Sequence, residues 1–234
     1  PKVICIGWHK TGTSTLGDAL LMLGYKVTGA REDLAYSLLE GDTTQALSVA
    51  EKFEAIQDVP WAALYKDLDK AFPGSKFILT LRDEQAWLKS AKKHFKDKDI
   101  KLHQWLYGEG VLEGNEDIYI NRYRKHYKEV KDYFKDRPED IIVMDFKNGD
   151  GWDKLCTFLN VPVPKKTFPH SNKGKHSYTL RDKIVYRLRR LTPAWLRKLR
   201  IELLIKLGFP DRRDRFNNKQ CNNAERIKRE KSSR

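Results

Sequence analysis

Residues 7–14 read Gly-Trp-His-Lys-Thr-Gly-Thr-Ser, and their types and spacing set up a phosphate chemistry. The loop that cradles nucleotide phosphates is written G-x-x-x-x-G-K-[ST], with the lysine reaching the terminal phosphates and the hydroxyl holding magnesium. Gly7 and Gly12 have that spacing and Ser14 supplies the hydroxyl, but Thr13 stands where the lysine belongs and Lys10 has moved inside the loop. Backbone amides of a glycine loop entering a helix bind a phosphate whatever the side chains do. The side chains choose which phosphate. Without a lysine after Gly12 the contact to the β- and γ-phosphates of a triphosphate is lost. Asp145 ends a later apolar run, but Phe146 and Lys147 give it no companion carboxylate for a magnesium ion. A ligand with a single 5′-phosphate and a transferable group suits Lys10, Thr11, Gly12, Thr13 and Ser14 better.

Such a loop works only between a strand and a helix. Val3-Ile4-Cys5-Ile6 is a short apolar run ending in glycine, and Ser14 to Leu23 carries Leu16, Leu20 and Leu23 at helical spacing with Gly24 as its stop. Further strands are expected at 25–28, 53–56, 76–82 and 141–146, and helices at 31–52, 61–72, 84–95, 116–135 and 152–159. Alternating strands and helices predict an α/β fold, a P-loop-type parallel sheet with helices on both faces. The stretch from Asn160 carries three prolines within ten residues and reads as irregular. Two basic amphipathic helices, about 178–190 and 194–207, are expected beyond it. The chain thus divides into a catalytic domain, 1–180, and a basic helical extension, 181–234, with a flexible end.

The loop resembles the 5′-phosphosulfate loop of the sulfotransferases that use 3′-phosphoadenosine 5′-phosphosulfate (PAPS): a lysine, a small hydroxyl residue, glycine, then two hydroxyl residues. LTLRDEQAWLKSAKKHF places Arg82 at a strand end and Ser90 eight residues later in the following helix. This resembles the arginine and serine that hold the 3′-phosphate in that family. The stretch DIIVMDFKNGDGWDKLCTFLNVPVPKKTFPHSN is also similar to the later half of small single-domain members, so the likeness covers roughly residues 1–175. It implies transfer of a sulfuryl group from PAPS to a hydroxyl or amine, with no metal. Negative charge then grows on the bridging oxygen of the leaving phosphate, and a preorganised cation aimed there, Lys10, is the most useful group the chain can offer. Arg82 offers a planar fork for the 3′-phosphate and Ser90 a neutral donor.

The resemblance also points to a base. In cytosolic members a histidine precedes a leucine-proline pair; Gln57-Asp58-Val59-Pro60 matches that place with Asp58 in the histidine position. A carboxylate can serve, although its reference pKa of about 3.9 suits the task only if burial raises it. The competing reading makes Asp58 the cap of a helix starting near Pro60. His9 is the reserve base, and His94, His103 and His126 read as solvated. Asn172-Lys173-Gly174 lies where the family closes a basic glycine-containing segment over the 3′-phosphate, with asparagine where arginine is common. Thr15 replaces the tryptophan that stacks on adenine, leaving Trp8 as a substitute. Acceptor choice is assigned to the loops 96–116 and the proline-rich segment.

The chain has 234 residues and a formal charge of +14. From Arg181 onward 18 Lys/Arg face 6 Asp/Glu, so the basic character belongs to the extension and suggests an anionic partner such as a membrane surface. The alternative is an apolar stripe packed on the body with the basic face in water. No nucleic-acid reader motif accompanies the charge. Three widely spaced cysteines make neither a disulfide framework nor a metal knuckle, and no run nears the roughly 20 apolar residues of a membrane span. A cytoplasmic protein with a small-molecule, carbohydrate or lipid acceptor is expected, with membrane-peripheral contact through the tail or an anchor preceding residue 1 as variants. Two rivals stay open: a small-molecule or nucleotide kinase with an altered loop, and a non-catalytic protein binding membranes or polyanions on this fold.

Overall fold

Short apolar runs and amphipathic segments alternate along the chain, and the computed structural model, which describes residues 1–171, shows how they layer. Five strands form one wholly parallel sheet: β1 (Val3–Cys5), β2 (Val27–Thr28), β3 (Ala55–Gln57), β4 (Lys76–Thr80) and β5 (Ile141–Met144). Their spatial order is β2-β3-β1-β4-β5. Ile4 pairs with Ile56 on one side and Phe77 on the other. The eight helices among the described residues are α1 (Thr13–Met22), α2 (Ala35–Leu39), α3 (Thr44–Glu51), α4 (Tyr65–Ala71), α5 (Glu84–Phe95), α6 (Lys101–Tyr107), α7 (Glu116–Tyr133) and α8 (Trp152–Leu159).

Strand side chains alternate between two cores, as the pleat requires. Val3, Cys5, Ala55, Ile78 and Met144 pack with Leu16, Ala19 and Leu20 of α1 and Leu155 and Cys156 of α8. Ile4, Ile56, Phe77 and Leu79 point the other way, into a larger core with Leu38, Ala46, Leu68, Trp87, Leu106 and Val130 from the remaining helices. Helices therefore cover both faces, as the alternation predicts. The connection leaving β1 runs toward β2 and that leaving β4 runs toward β5, so the carboxyl ends of β1 and β4 bound a switch point, where ligands of parallel sheets bind.

Several element boundaries differ from the sequence reading. The span 31–52 is not one helix: α2 ends at Leu39, Gly41 takes φ 80° and α3 starts at Thr44. Residues 61–64 form turns before α4 begins at Tyr65. The stretch 96–116 is not simply a loop, because α6 sits inside it with Leu102, Leu106 and Tyr107 buried. Its apolar positions were too few to signal a helix without the core they pack against. The expected extension 181–234, its helices and the domain boundary at 180 lie outside the described residues, as do Lys173 and Gly174. No described helix is long and apolar enough to cross a membrane.

Candidate active site at the ends of β1 and β4

The connection from β1 to α1 is shaped by what packs against it. A β-carbon on Gly7 would overlap both the side chain and the backbone nitrogen of Thr80 at the end of β4, so only glycine lets the two strand ends approach this closely. Gly12 has φ 101°, and an added β-carbon would lie 2.6 Å from the Phe146 ring. Thr11 Oγ1 donates to the Trp8 carbonyl (2.6 Å), so its contact with Thr80 Oγ1 (2.5 Å) is donated by Thr80. No side chain caps the first turn of α1, which leaves amides of that turn directed at the mouth of the loop.

Lys10 lies half-buried in the loop at φ 67°, a left-handed conformation that costs a non-glycine residue roughly 1–2 kcal/mol. Its carbonyl accepts from Arg82 Nη1 at 2.7 Å. Burial lowers the Lys10 ammonium from its ordinary range; Asp58 opposes that shift, and the charges of Arg82 and Lys98 add to it. Asp58 follows β3 directly, at φ 75°. Its Oδ2 accepts from Thr13 Oγ1 (2.7 Å) and its Oδ1 from Val59 N (2.8 Å). The helix-cap reading of Asp58 fails, because α4 starts seven residues later and the carboxylate is turned toward the loop. Lys10, Asp58, Thr13 and Arg82 are thus gathered at one edge of the sheet from three strand ends. Ser14 is exposed at the same helix start, and Ser90 is half-buried on α5, whose N-terminus Asp83 caps through Ala86 N (2.9 Å).

Other sequence expectations are corrected. Trp8 is completely buried, its Nε1 donating to Tyr107 Oη (2.6 Å), so it presents no face to an adenine ring. His9 points away from the mouth, against Trp87, Phe95, His103 and Tyr107. Burial holds it well below the ordinary histidine range, with His103, Lys10 and His94 pushing the same way. A side chain sealed there cannot reach a substrate proton. His103 and His126 are not solvated either, at 2% and 0% exposure. Asp150 folds back to accept from the Asp145 backbone amide (2.7 Å), a contact to its main chain and not to its carboxylate. Asp145 itself accepts from Lys147 and Asn148, and Asp150 from Lys154.

Missed altogether were the groups that finish the strand ends. Carbonyls of Ile6, Thr80 and Arg82 accept from His126 Nε2 (2.7 Å), Tyr127 Oη (2.6 Å) and Tyr123 Oη (2.6 Å) of α7. The spacing of these three on α7 signals a buried helical face, but not which carbonyls it meets. Thr15 Oγ1 accepts from Ser171 N (3.2 Å), and Ser171 Oγ donates to Asp18, bringing the end of the proline-rich segment onto α1.

A wholly parallel α/β sheet with a glycine loop at its switch point defines a class of α/β domain that binds its ligands at the carboxyl ends of the strands. Comparison with known families narrows it: the sulfotransferase domain matches residues 2–109 and 99–177. The chain belongs to that family. It is also similar to "Ava biosynthesis cluster protein M" of Aspergillus versicolor, 26% identical over 215 residues, covering 72% of this chain and 80% of that protein.

Proposed function

We propose that this protein transfers a sulfuryl group from PAPS to a hydroxyl or amine and releases adenosine 3′,5′-bisphosphate. The observation that carries the reading is the gathering of Lys10, Thr13, Asp58 and Arg82 around an uncapped helix start. The donor set fits a bisphosphorylated adenosine. The loop from Lys10 to Ser14 would hold the 5′-phosphosulfate, and Arg82 with Ser90 the 3′-phosphate. Lys173 and Gly174 are proposed to close over that second phosphate. PAPS supplies an activated sulfuryl group whose departure loads negative charge onto its 5′-phosphate. Lys10, half-buried and therefore poorly screened, neutralises that charge where it develops. Asp58 accepts the proton of the acceptor, and Thr13 and Val59 fix the direction of its carboxylate. Acceptor and donor then meet between Asp58 and Lys10.

The relative's name places that protein in a biosynthesis cluster; a small-molecule acceptor is the corresponding proposal for this chain. A nucleotide kinase is the weaker reading, since Thr13, where a kinase carries its phosphate-binding lysine, is turned to Asp58. The test is a thermal-shift panel. Adenosine 3′,5′-bisphosphate should raise the unfolding midpoint without magnesium, and ATP with magnesium should not. Stabilisation by ATP-magnesium alone would favour the kinase, and by neither the non-catalytic protein. Transfer of radiolabelled sulfate from PAPS into an acceptor pool completes the assignment.

A further inference from the structure

We infer that Arg82 positions Lys10, so that a group held by the Arg82 guanidinium also sets the shape of the loop that receives the other phosphate. The identity of the two phosphates rests on the sulfotransferase reading; the linkage itself is a contact within the chain. Lys10 occupies a left-handed conformation that its own side chain disfavours, and Arg82 Nη1 holds its carbonyl from across the switch point at 2.7 Å. Arg82 is itself anchored through its backbone. Its carbonyl accepts from Tyr123 Oη, and the preceding Leu81 N donates to Met144 O at 2.8 Å. The guanidinium is exposed, and after one bond to Lys10 it retains further N–H donors for an anion. An anion that orders this planar fork orders the Lys10 carbonyl with it. That fixes where the Lys10 side chain leaves the loop. Selectivity for a doubly phosphorylated ligand would then be expressed at the reacting end, and not solely as an added contact at the far phosphate.

The test is binding of adenosine 5′-phosphate, which has no 3′-phosphate for Arg82 to grip. Dissociation constants for it and for adenosine 3′,5′-bisphosphate are measured by titration calorimetry. The proteins are wild type, Arg82→Ala, Lys10→Gly and the double variant, each first checked for a wild-type unfolding midpoint. Arg82→Gln replaces Arg82→Ala should the latter fold poorly. Arg82→Ala should weaken adenosine 5′-phosphate about tenfold, the low end for a hydrogen bond to a charged group. In the Lys10→Gly background the same change should cost less than about threefold, because glycine holds a positive φ unaided. Loss of a nearby positive charge would act equally in both backgrounds, so the comparison isolates positioning. Equal affinity of wild type and Arg82→Ala for adenosine 5′-phosphate overturns the inference. So does an equal loss in both backgrounds. A wild type that binds neither nucleotide refutes the cofactor reading, and the inference with it.

Discussion

Acid should loosen this protein well before its carboxylates are protonated, because neutral histidines are sealed behind the glycine loop. Burial lowers His103 and His126 to about 4, against an unfolded value near 6.5. Around His126, Arg122 pushes the same way while the Ile6 carbonyl opposes; around His103, His94 adds to the shift and Glu32 opposes it. Between pH 6.5 and 4 the unfolded chain binds protons that the folded chain refuses, so stability rises with pH across that window. It is fully present above the unfolded value and lost as pH falls toward the folded one. From pH 7.5 to pH 5 each such histidine removes about 2 kcal/mol and the pair about 4 kcal/mol, a large share of a typical stability of about 5–15 kcal/mol. His9, also depressed, adds to the loss. Urea unfolding followed by tryptophan fluorescence at pH 7.5, 6 and 5, at constant ionic strength, measures it. His126→Gln should keep a donor for the Ile6 carbonyl and reduce the pH-dependent loss by about 2 kcal/mol. A stability that changes by less than about 1 kcal/mol between pH 7.5 and 5 would refute the reasoning, showing that the histidines are hydrated or leave their sites before titrating.

Three substitutions test the site. Asp58→Asn should leave affinity for adenosine 3′,5′-bisphosphate intact and lower turnover roughly 10²–10⁴-fold; full activity would show that Asp58 only orients Thr13. Lys10→Ala should cut turnover far more than product affinity, since its role is in the transition state, and parallel losses in both would mark it as a binding residue. Gly7→Ala should destabilise the fold by at least about 3 kcal/mol in thermal unfolding, because the added methyl meets the Thr80 backbone, which cannot swing aside as a side-chain end can.

The legible parts of the chain were those governed by local periodicity. α5 and α8 begin and end where their apolar spacing places them, and β4 and β5 are the apolar runs each cut short by two residues. The loop was legible because glycines at two positions and a lysine between them have few other uses. Asp58 was placed by its neighbours in sequence, but its partner Thr13, 45 residues away, was not. Histidine was misread for a general reason. In a charged helix such as α7 a histidine looks solvated, although its spacing from Tyr119, Tyr123 and Val130 puts His126 on the buried stripe. α6 was missed because seven residues form a helix only when a core already waits for them.

The three carbonyls that α7 holds, on Ile6, Thr80 and Arg82, bear on how the protein is made. The bonds span 120, 47 and 41 residues, and each gives a donor to a carbonyl at or just beyond a strand end. During synthesis β1, β4 and the loop emerge long before α7 does. Until Tyr123, His126 and Tyr127 arrive, the loop residues are present but the frame that holds their geometry is open. Non-local closures of this kind form late, since chain entropy must be spent before the contact returns it. The loop end of the sheet, encoded ahead of α7, is therefore finished after it, and a nascent chain stopped ahead of residue 116 would carry the whole loop sequence without the frame that shapes it.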